Sequence, residues 1–325
     1  MKARDMWGKI KSKYSIYIVL VVMFFICWVA NKNFVSIENL SNISRQISVG
    51  TILAFGETIL IIAGMLDLSS ASVLAFSGVL SVSVYLMTGS LLLAFLVGVA
   101  VSVMCNIITA IIVTRYNVPT FIATLSMMAM ARGAALLYTN GQNIYQIGDY
   151  TVFGQGYIAG IPTPVIFLVI TLIVTWYLLR HTIFGRSIYA IGGNEEAAIA
   201  SGINVKANKM LAYIINGVYV GVAGVLFMSR NNVGLPNGAV GYEFTALTAA
   251  VIGGTSMSGG IGSAAGTVAG AFIVGFLDNI MVLSGVNSYL QEIVRGGIIT
   301  LAVAYDIYAK SRKTRKKLGT IKAQP

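Results

Sequence analysis

The segment SVGTILAFGETILIIAGMLDLSSASVLAFSGVLSVSVYLMT, Ser48 to Thr88, holds two apolar runs, 48–66 and 70–88, parted by a few small and polar residues. Each run approaches the ~20 residues that an α-helix needs to cross a hydrocarbon core of ~30 Å. Comparable runs lie at 14–30, 91–114, 120–138, 162–180, 209–229, 244–258, 261–284 and 288–309, which makes ten in all. The expected fold is therefore an all-α polytopic membrane protein of about ten transmembrane helices, some of them short or broken. Breaks are expected at two links, GMLDLSSAS (Gly64–Ser72) and GGTSMSGGIGS (Gly253–Ser263). The two share a loose pattern, Gly-x-x-Asp-x-Ser against Gly-x-x-Ser-x-Ser, which hints at an internal duplication of the kind transporters use.

Composition agrees with this reading. Of 325 residues, 57% are hydrophobic and 10% charged, against about 25% charged in an ordinary soluble domain. The net charge of +11 is concentrated at the ends. Lys2, Arg4, Lys9, Lys11 and Lys13 precede the first run, and Lys310, Arg312, Lys313, Arg315, Lys316, Lys317 and Lys322 follow the last. By the positive-inside rule both ends are expected in the cytoplasm. The chain then divides into a basic N-terminus (1–13), a transmembrane domain (14–309) with an inner loop at 181–208, and a basic tail (310–325). With that parity, 17 of the 22 Lys and Arg fall in cytoplasmic segments. Lys32, Arg45 and Arg230 fall outside, and Arg132 and Arg295 fall within spans. The basic tail is assigned to anionic lipid headgroups, not to nucleic acid. The first apolar run lacks a small-residue cleavage pattern after it and is read as a retained span.

Catalytic constellations are missing from the sequence. His181, the one histidine, stands beside Arg180 at the end of a run, where a cation near a helix C-terminus or the headgroups is ordinary. Cys27 and Cys105 lie within apolar runs and read as small buried hydrophobes, without metal or disulfide partners. No HExxH, GxSxG or GxxxxGK[ST] motif occurs, so enzyme function is not expected and any ATP must be held by another chain.

Charges inside the runs narrow the candidates further, because each costs ~2.5–3.5 kcal/mol at the bilayer centre on insertion scales. Glu292 and Arg295, three residues apart, are expected to neutralise each other. Glu57 sits mid-run without a basic neighbour, facing either a polar pathway or Arg132 across the bundle. Asp67, Asn106, Thr124, Ser126 and Asn216 join it as candidate pathway residues for a hydroxylated solute, although interhelical hydrogen bonding explains them equally well. Two longer outer connections, Thr139–Ile161 and Arg230–Glu243, are expected in water at the membrane interface.

The inner loop carries IGGNEEAAIASGIN, Ile191–Asn204. Asn194 reads as an N-cap, Glu195 and Glu196 suit the positive end of the helix dipole, Ala197–Ser201 propagate the helix, and Gly202 supplies a left-handed stop. Two turns cannot span a bilayer. Local physics leaves two equal readings, a connector or a docking helix.

The ordered set NVPTFIATLSMMAMARG, NEEAAIASGINV, AGMLDLSSASVLAFSG and AAVIGGTSMSGGIGSAAGTVAGAFIVG resembles the permease subunit of ribose-type ABC importers, within the wider group that also serves branched-chain amino acids. The likeness covers roughly residues 15–308. It implies a multi-pass permease of the bacterial inner or cytoplasmic membrane that dimerises with a second copy or a related permease. It further implies a cytoplasmic ATPase that binds ATP and Mg, and an extracytoplasmic binding protein that delivers a monosaccharide. The matching coupling positions are Gly193, Asn194, Glu195, Glu196, Ala197, Ala198, Ser201 and Gly202. Where the family often has DLSVGS this chain has DLSSAS, Asp67–Ser72, which keeps the residues small. Two other readings stay open: an ABC permease for a nucleoside, amino acid or sugar-like signal, and an ion-coupled carrier, for which Glu57, Asp67 and Asp278 are the available acids.

Overall fold

The computed structural model describes residues 2–301, 303, 304 and 308, with side chains from Ile16 onward. The basic tail 310–325 lies outside the described residues, as do the side chains of the segment 1–13. The chain is an α-helical membrane protein. Its long helices are α1 (Lys2–Ala30), α2 (Ile37–Ile62), α3 (Ser70–Thr88), α4 (Leu91–Arg115) and α5 (Thr120–Thr139). After a short outer helix α6 (Val152–Gln155) and a two-residue hairpin, β1 (Tyr157–Ile158) with β2 (Ile161–Pro162), comes α7 (Thr163–His181). The inner segment folds as α8 (Ile183–Gly193) and α9 (Glu195–Ala200). Then follow α10 (Val205–Asn231), α11 (Tyr242–Ile252) and α12 (Ala264–Leu283), with a last helix α13 described over 288–301.

Seven of the described helices, α2, α3, α4, α5, α7, α10 and α12, are long and apolar enough to cross a membrane. The apolar part of α1, Ile16–Ala30, and α11 are shorter. Of the other three expected runs, 14–30 and 244–258 are these shorter helices and 288–309 is described only in part. The expected span 244–258 is only the 11-residue α11, about 16 Å long, roughly half of a ~30 Å core. The run 48–66 belongs to a helix that begins at Ile37 and stops at Ile62. Arg45 therefore lies on α2, where it sits 4.7 Å from the Tyr157 ring and donates to the Gln155 carbonyl.

Both breaks begin with the same turn. Gly64 and Gly254 take positive φ of 77° and 88°, a conformation that glycine adopts without Cβ strain. Met65 N–H then reaches back to Leu60 O, and Thr255 N–H to Ala250 O, each closing off its helix. This geometry pairs Gly64 with Gly254, one residue later than the Gly253 expected from the sequence. Asp67 thus lines up with Met257 and has no acidic or hydroxyl counterpart in the second link.

Helices α2 and α10 form the core, and small residues set how closely the others approach. On α10, a Cβ at Gly217 would lie 2.8 Å from Val103 Cα, and one at Gly221 would lie 2.6 Å from Val99 Cα. The stripe Gly217, Gly221, Gly224 therefore lets α4 and α3 pack backbone to backbone, as membrane helices do where small residues face each other. Outer faces of α1, α4, α5 and α7 expose Val22, Leu96, Met130 and Ile173 among other apolar side chains, as a surface against lipid requires. Cys27 and Cys105 are buried free thiols.

The segment 140–162 is mostly exposed but is pinned to the bundle by a few buried residues, Ile147, Tyr150 and Gly154. Tyr150 is fully buried and its hydroxyl meets Ser81 Oγ at 2.7 Å, while its carbonyl accepts from Ser229 Oγ. Ile144 pairs with Gly234 in a β-bridge, so the two outer connections are sewn together over α3 and α10. Replacing Ser229 by Ala should leave Tyr150 O and Gly154 N–H without this partner and lower stability by about 1–3 kcal/mol. Thermal unfolding of the purified protein in detergent checks it, with exposed Ser126→Ala as the unchanged control.

Candidate functional site

Four of the six candidate pathway residues come together in one buried cluster. Glu57 on α2, Asp67 in the first link, Asn106 on α4 and Asn216 on α10 are each no more than 2% exposed. Asp67 is the hub. Its N–H points to Glu57 Oε2 at 3.4 Å, its Oδ1 accepts from Ser69 N–H at 2.7 Å, and its Oδ2 accepts from Asn216 Nδ2 at 2.7 Å. Asn216 Nδ2 also donates to Asn106 Oδ1 at 2.9 Å. Three helices and the link are thereby tied through one carboxylate, and each bond is worth more in this dry interior than in water. Thr124 is buried on α5 and Ser126 is exposed there, and their hydroxyls bond within their own helix.

Two expected ion pairs are corrected. Arg132 does not pair with Glu57; its Nη1 donates to the carbonyls of Pro236 (2.8 Å) and Gly238 (2.9 Å) ahead of α11. Arg295 bonds Asp278 on α12, Nε to Oδ1 at 2.8 Å, instead of Glu292 on its own helix. Asp278 is largely buried, so it takes the cation that an exposed Glu292 does not need. His181 packs its ring on Trp176 and Tyr177 at the inner end of α7.

At the inner loop, Asn194 Oδ1 accepts from Ala197 N–H at 2.9 Å, and Gly202, at φ 80°, ends α9 with Ile203 N–H on Ala198 O. The two glutamates part ways. Glu195 holds Lys209 Nζ at 2.8 Å, while Glu196 is exposed and makes no ion pair among the described residues. Gly193, Asn194, Ala197, Ser201 and Gly202 are likewise exposed, whereas Ala198 is buried against Ile191 and Val205.

Helix α8 was not foreseen. Its signal is present, since Phe184, Ile188 and Ile191 recur at helical spacing and are the face it buries. Its end meets both breaks. Gly260 N–H donates to Ile62 O at 2.9 Å, Tyr189 Oη donates to Gly262 O at 2.7 Å, and a Cβ on Gly192 would collide with Ile62 O and Gly260 N. Burial pushes the Tyr189 phenol above its usual pKa, which keeps it a donor. The end of α8, which leads into α9, thus rests, backbone to backbone, on the ends of α2 and of the second link.

The sequence profile described as "Branched-chain amino acid transport system / permease component" matches residues 39–303. The chain belongs to this permease family. It is 40% identical over 294 residues to the ribose import permease protein RbsC of Escherichia coli K12, covering 89% of this chain and 92% of that one. It is 37% identical over 300 residues to the ribose import permease protein RbsC of Bacillus subtilis 168, covering 91% and 93%. To the L-arabinose transport system permease protein AraH of E. coli K12 it is 34% identical over 314 residues, covering 96% and 95%. No solved structure matches. The chain is accordingly a multi-pass permease of the bacterial inner membrane.

Three substitutions follow from this geometry. Gly192→Ala should overpack the junction and cost about 1–3 kcal/mol or more, whereas Gly193→Ala, with nothing within 4 Å of the added Cβ, should be near neutral. Asp67→Ala should strand the Ser69 and Asn216 donors and cost about 1–3 kcal/mol for each group left unpaired. Unfolding midpoints in one detergent rank all three.

Proposed function

We propose that this permease forms the translocation path of an ABC importer for a monosaccharide of the ribose or arabinose kind. In this reading a separate ATPase binds ATP and Mg on the cytoplasmic side, and an extracytoplasmic binding protein delivers the sugar. A second copy of the chain, or a related permease, completes the path. In this reading the chain has ten membrane segments, including the half-length α11, and both termini in the cytoplasm, which the basic residues support, 17 of 22 falling on that side under this assignment. No chemical conversion of the solute is assigned to this chain.

The observation that carries the reading is the seat of α9, in a chain of this family that has no phosphate-binding loop. Its outward surface, with Glu196, Ala197 and Ser201, is free for an ATPase, while the end of α8 that carries it bears on Ile62 and Gly260 through Gly192. A push on α9 is delivered to α2 and the second link without long side chains between them to absorb it. The cluster of Glu57, Asp67, Asn106 and Asn216 then acts on the path from behind, by holding the inner end of α2 to α4 and α10. Thr124 and Ser126 on α5 remain candidates for contact with the solute.

Reconstitution in liposomes tests the reading. Ribose or arabinose uptake should require this permease, the ATPase, the binding protein and ATP together. Movement of solute by this chain alone under a proton or sodium gradient would instead establish the ion-coupled carrier. Glu196→Lys isolates the docking role, because Glu195→Lys would also break the pair with Lys209. The Glu196 variant should lose most ATP-driven uptake and ATPase co-purification while keeping its unfolding midpoint, and unchanged uptake would remove α9 from coupling.

A further inference from the structure

We infer that Tyr189 is the positioning residue that makes the second link follow α8 in both directions, when the ATPase presses on α9 and when it releases it. The inference rests on the reading of α9 as the ATPase seat. It goes beyond that reading, because contact alone explains a push but not a return.

Where α8 meets its two supports, glycine stands against backbone. A Cβ at Gly192 would collide with Ile62 O, and one at Gly259 would lie 2.7 Å from Gly192 O. Surfaces this close transmit compression at once, since close-packed interiors barely yield. They transmit little tension, because the dispersion attraction of a few backbone atoms is weak. A directional hydrogen bond does carry tension, and Tyr189 makes one to the link. Its Oη donates to Gly262 O at 2.7 Å, directly ahead of Ser263, whose side chain caps α12 by accepting from Gly266 N–H. The pull is therefore applied at the start of α12.

The other end of the link is built to bend. Five of the eleven residues 253–263 are glycine, and Gly253 and Gly254 separate α11 from the stretch that Ile62 and Tyr189 hold. Gly254 takes a φ of 88°, and changes of φ and ψ at a few such residues are how hinges absorb motion. Thr255, next in the chain, is an independent sign. It is 1% exposed and its Oγ1 has no hydrogen-bond partner among the described residues, whereas buried hydroxyls are normally paired. The link in this arrangement leaves that bond unmade, and a swing at Gly254 is the motion that relocates the hydroxyl. The first link has no such play, because Asp67 gathers the Ser69 and Asn216 donors and no glycine lies between Asp67 and Ser72. Motion of α8 thus reaches α12 through Tyr189, and α11 takes up the difference at its glycine pair.

The test uses the complete importer in liposomes, with ATP and with D-ribose and L-arabinose as probes. Tyr189→Phe keeps the ring and removes the hydroxyl. Uptake per ATP hydrolysed should fall about fivefold or more, the weight of one hydrogen bond, while hydrolysis stimulated by the binding protein and the unfolding midpoint are retained. Spin labels on Arg186→Cys and Ser258→Cys, exposed positions on α8 and the link in a chain whose native thiols are buried, read the motion directly. With Tyr189 present their separation should be the same in nucleotide-free and nucleotide-trapped importer, and in Tyr189→Phe it should differ between the two states. A separation that changes with Tyr189 present would overturn the inference, whether or not the phenylalanine variant assembles. Unchanged uptake per ATP in that variant would also overturn it, as would loss of hydrolysis together with uptake, which assigns Tyr189 to seating the ATPase. Each of these results leaves the proposed function standing. A wild-type importer that takes up neither sugar with ATP would overturn the proposed function, and the inference with it.

Discussion

The hydrogen bond from Gly260 N–H to Ile62 O is the contact on which the inner half of the molecule depends. A helix that ends inside a membrane protein leaves carbonyls without intrahelical partners, and no water reaches them in hydrocarbon. The α2 terminus meets this demand by taking a backbone donor from the second link, and the two strands of backbone approach so closely that Gly192 has no room for a Cβ. The end of α8, the end of α2 and the second link thereby become one rigid junction. Everything attached to it, α9 above all, inherits its position.

That junction gives the two breaks different tasks. The first link is stiffened by a carboxylate, since Asp67 gathers donors from Ser69 and Asn216 and offers its own N–H to Glu57. The second link has Met257 at the corresponding place and relies on glycine contacts and on Tyr189. The two links share the turn at Gly64 and Gly254 and differ in the acid, Asp67 standing where the second link has Met257. Polar residues that looked like pathway candidates serve in part as the lock of the first link.

Much was legible from the chain alone. The long apolar runs, the cap at Asn194, the stop at Gly202 and the buried thiols are local properties, written in consecutive residues and their hydropathy. The misreadings share a cause, which is that the deciding partner is distant in sequence. Arg295 chooses Asp278 over Glu292 because burial, not spacing, decides which carboxylate needs the cation. The run 244–258 counted as a span because hydropathy cannot tell a transmembrane helix from a half-helix sheltered by protein. The burial of Tyr150 within an otherwise exposed segment was hidden because its partners, Ser81 and Ser229, are distant in sequence.

By itself the sequence determined that this is a helical membrane protein of a permease family, with its charge at the ends and a capped two-turn helix between the sixth and seventh runs. Periodicity, hydropathy and capping act over a few residues, so they survive without a fold. The tertiary structure alone decided that Glu57, Asp67, Asn106 and Asn216 meet, and that the end of α8, with α9 attached, stands on the backbones of α2 and the second link. Those outcomes depend on how closely glycine-bearing helices approach one another, a property of facing surfaces that no single stretch of chain encodes.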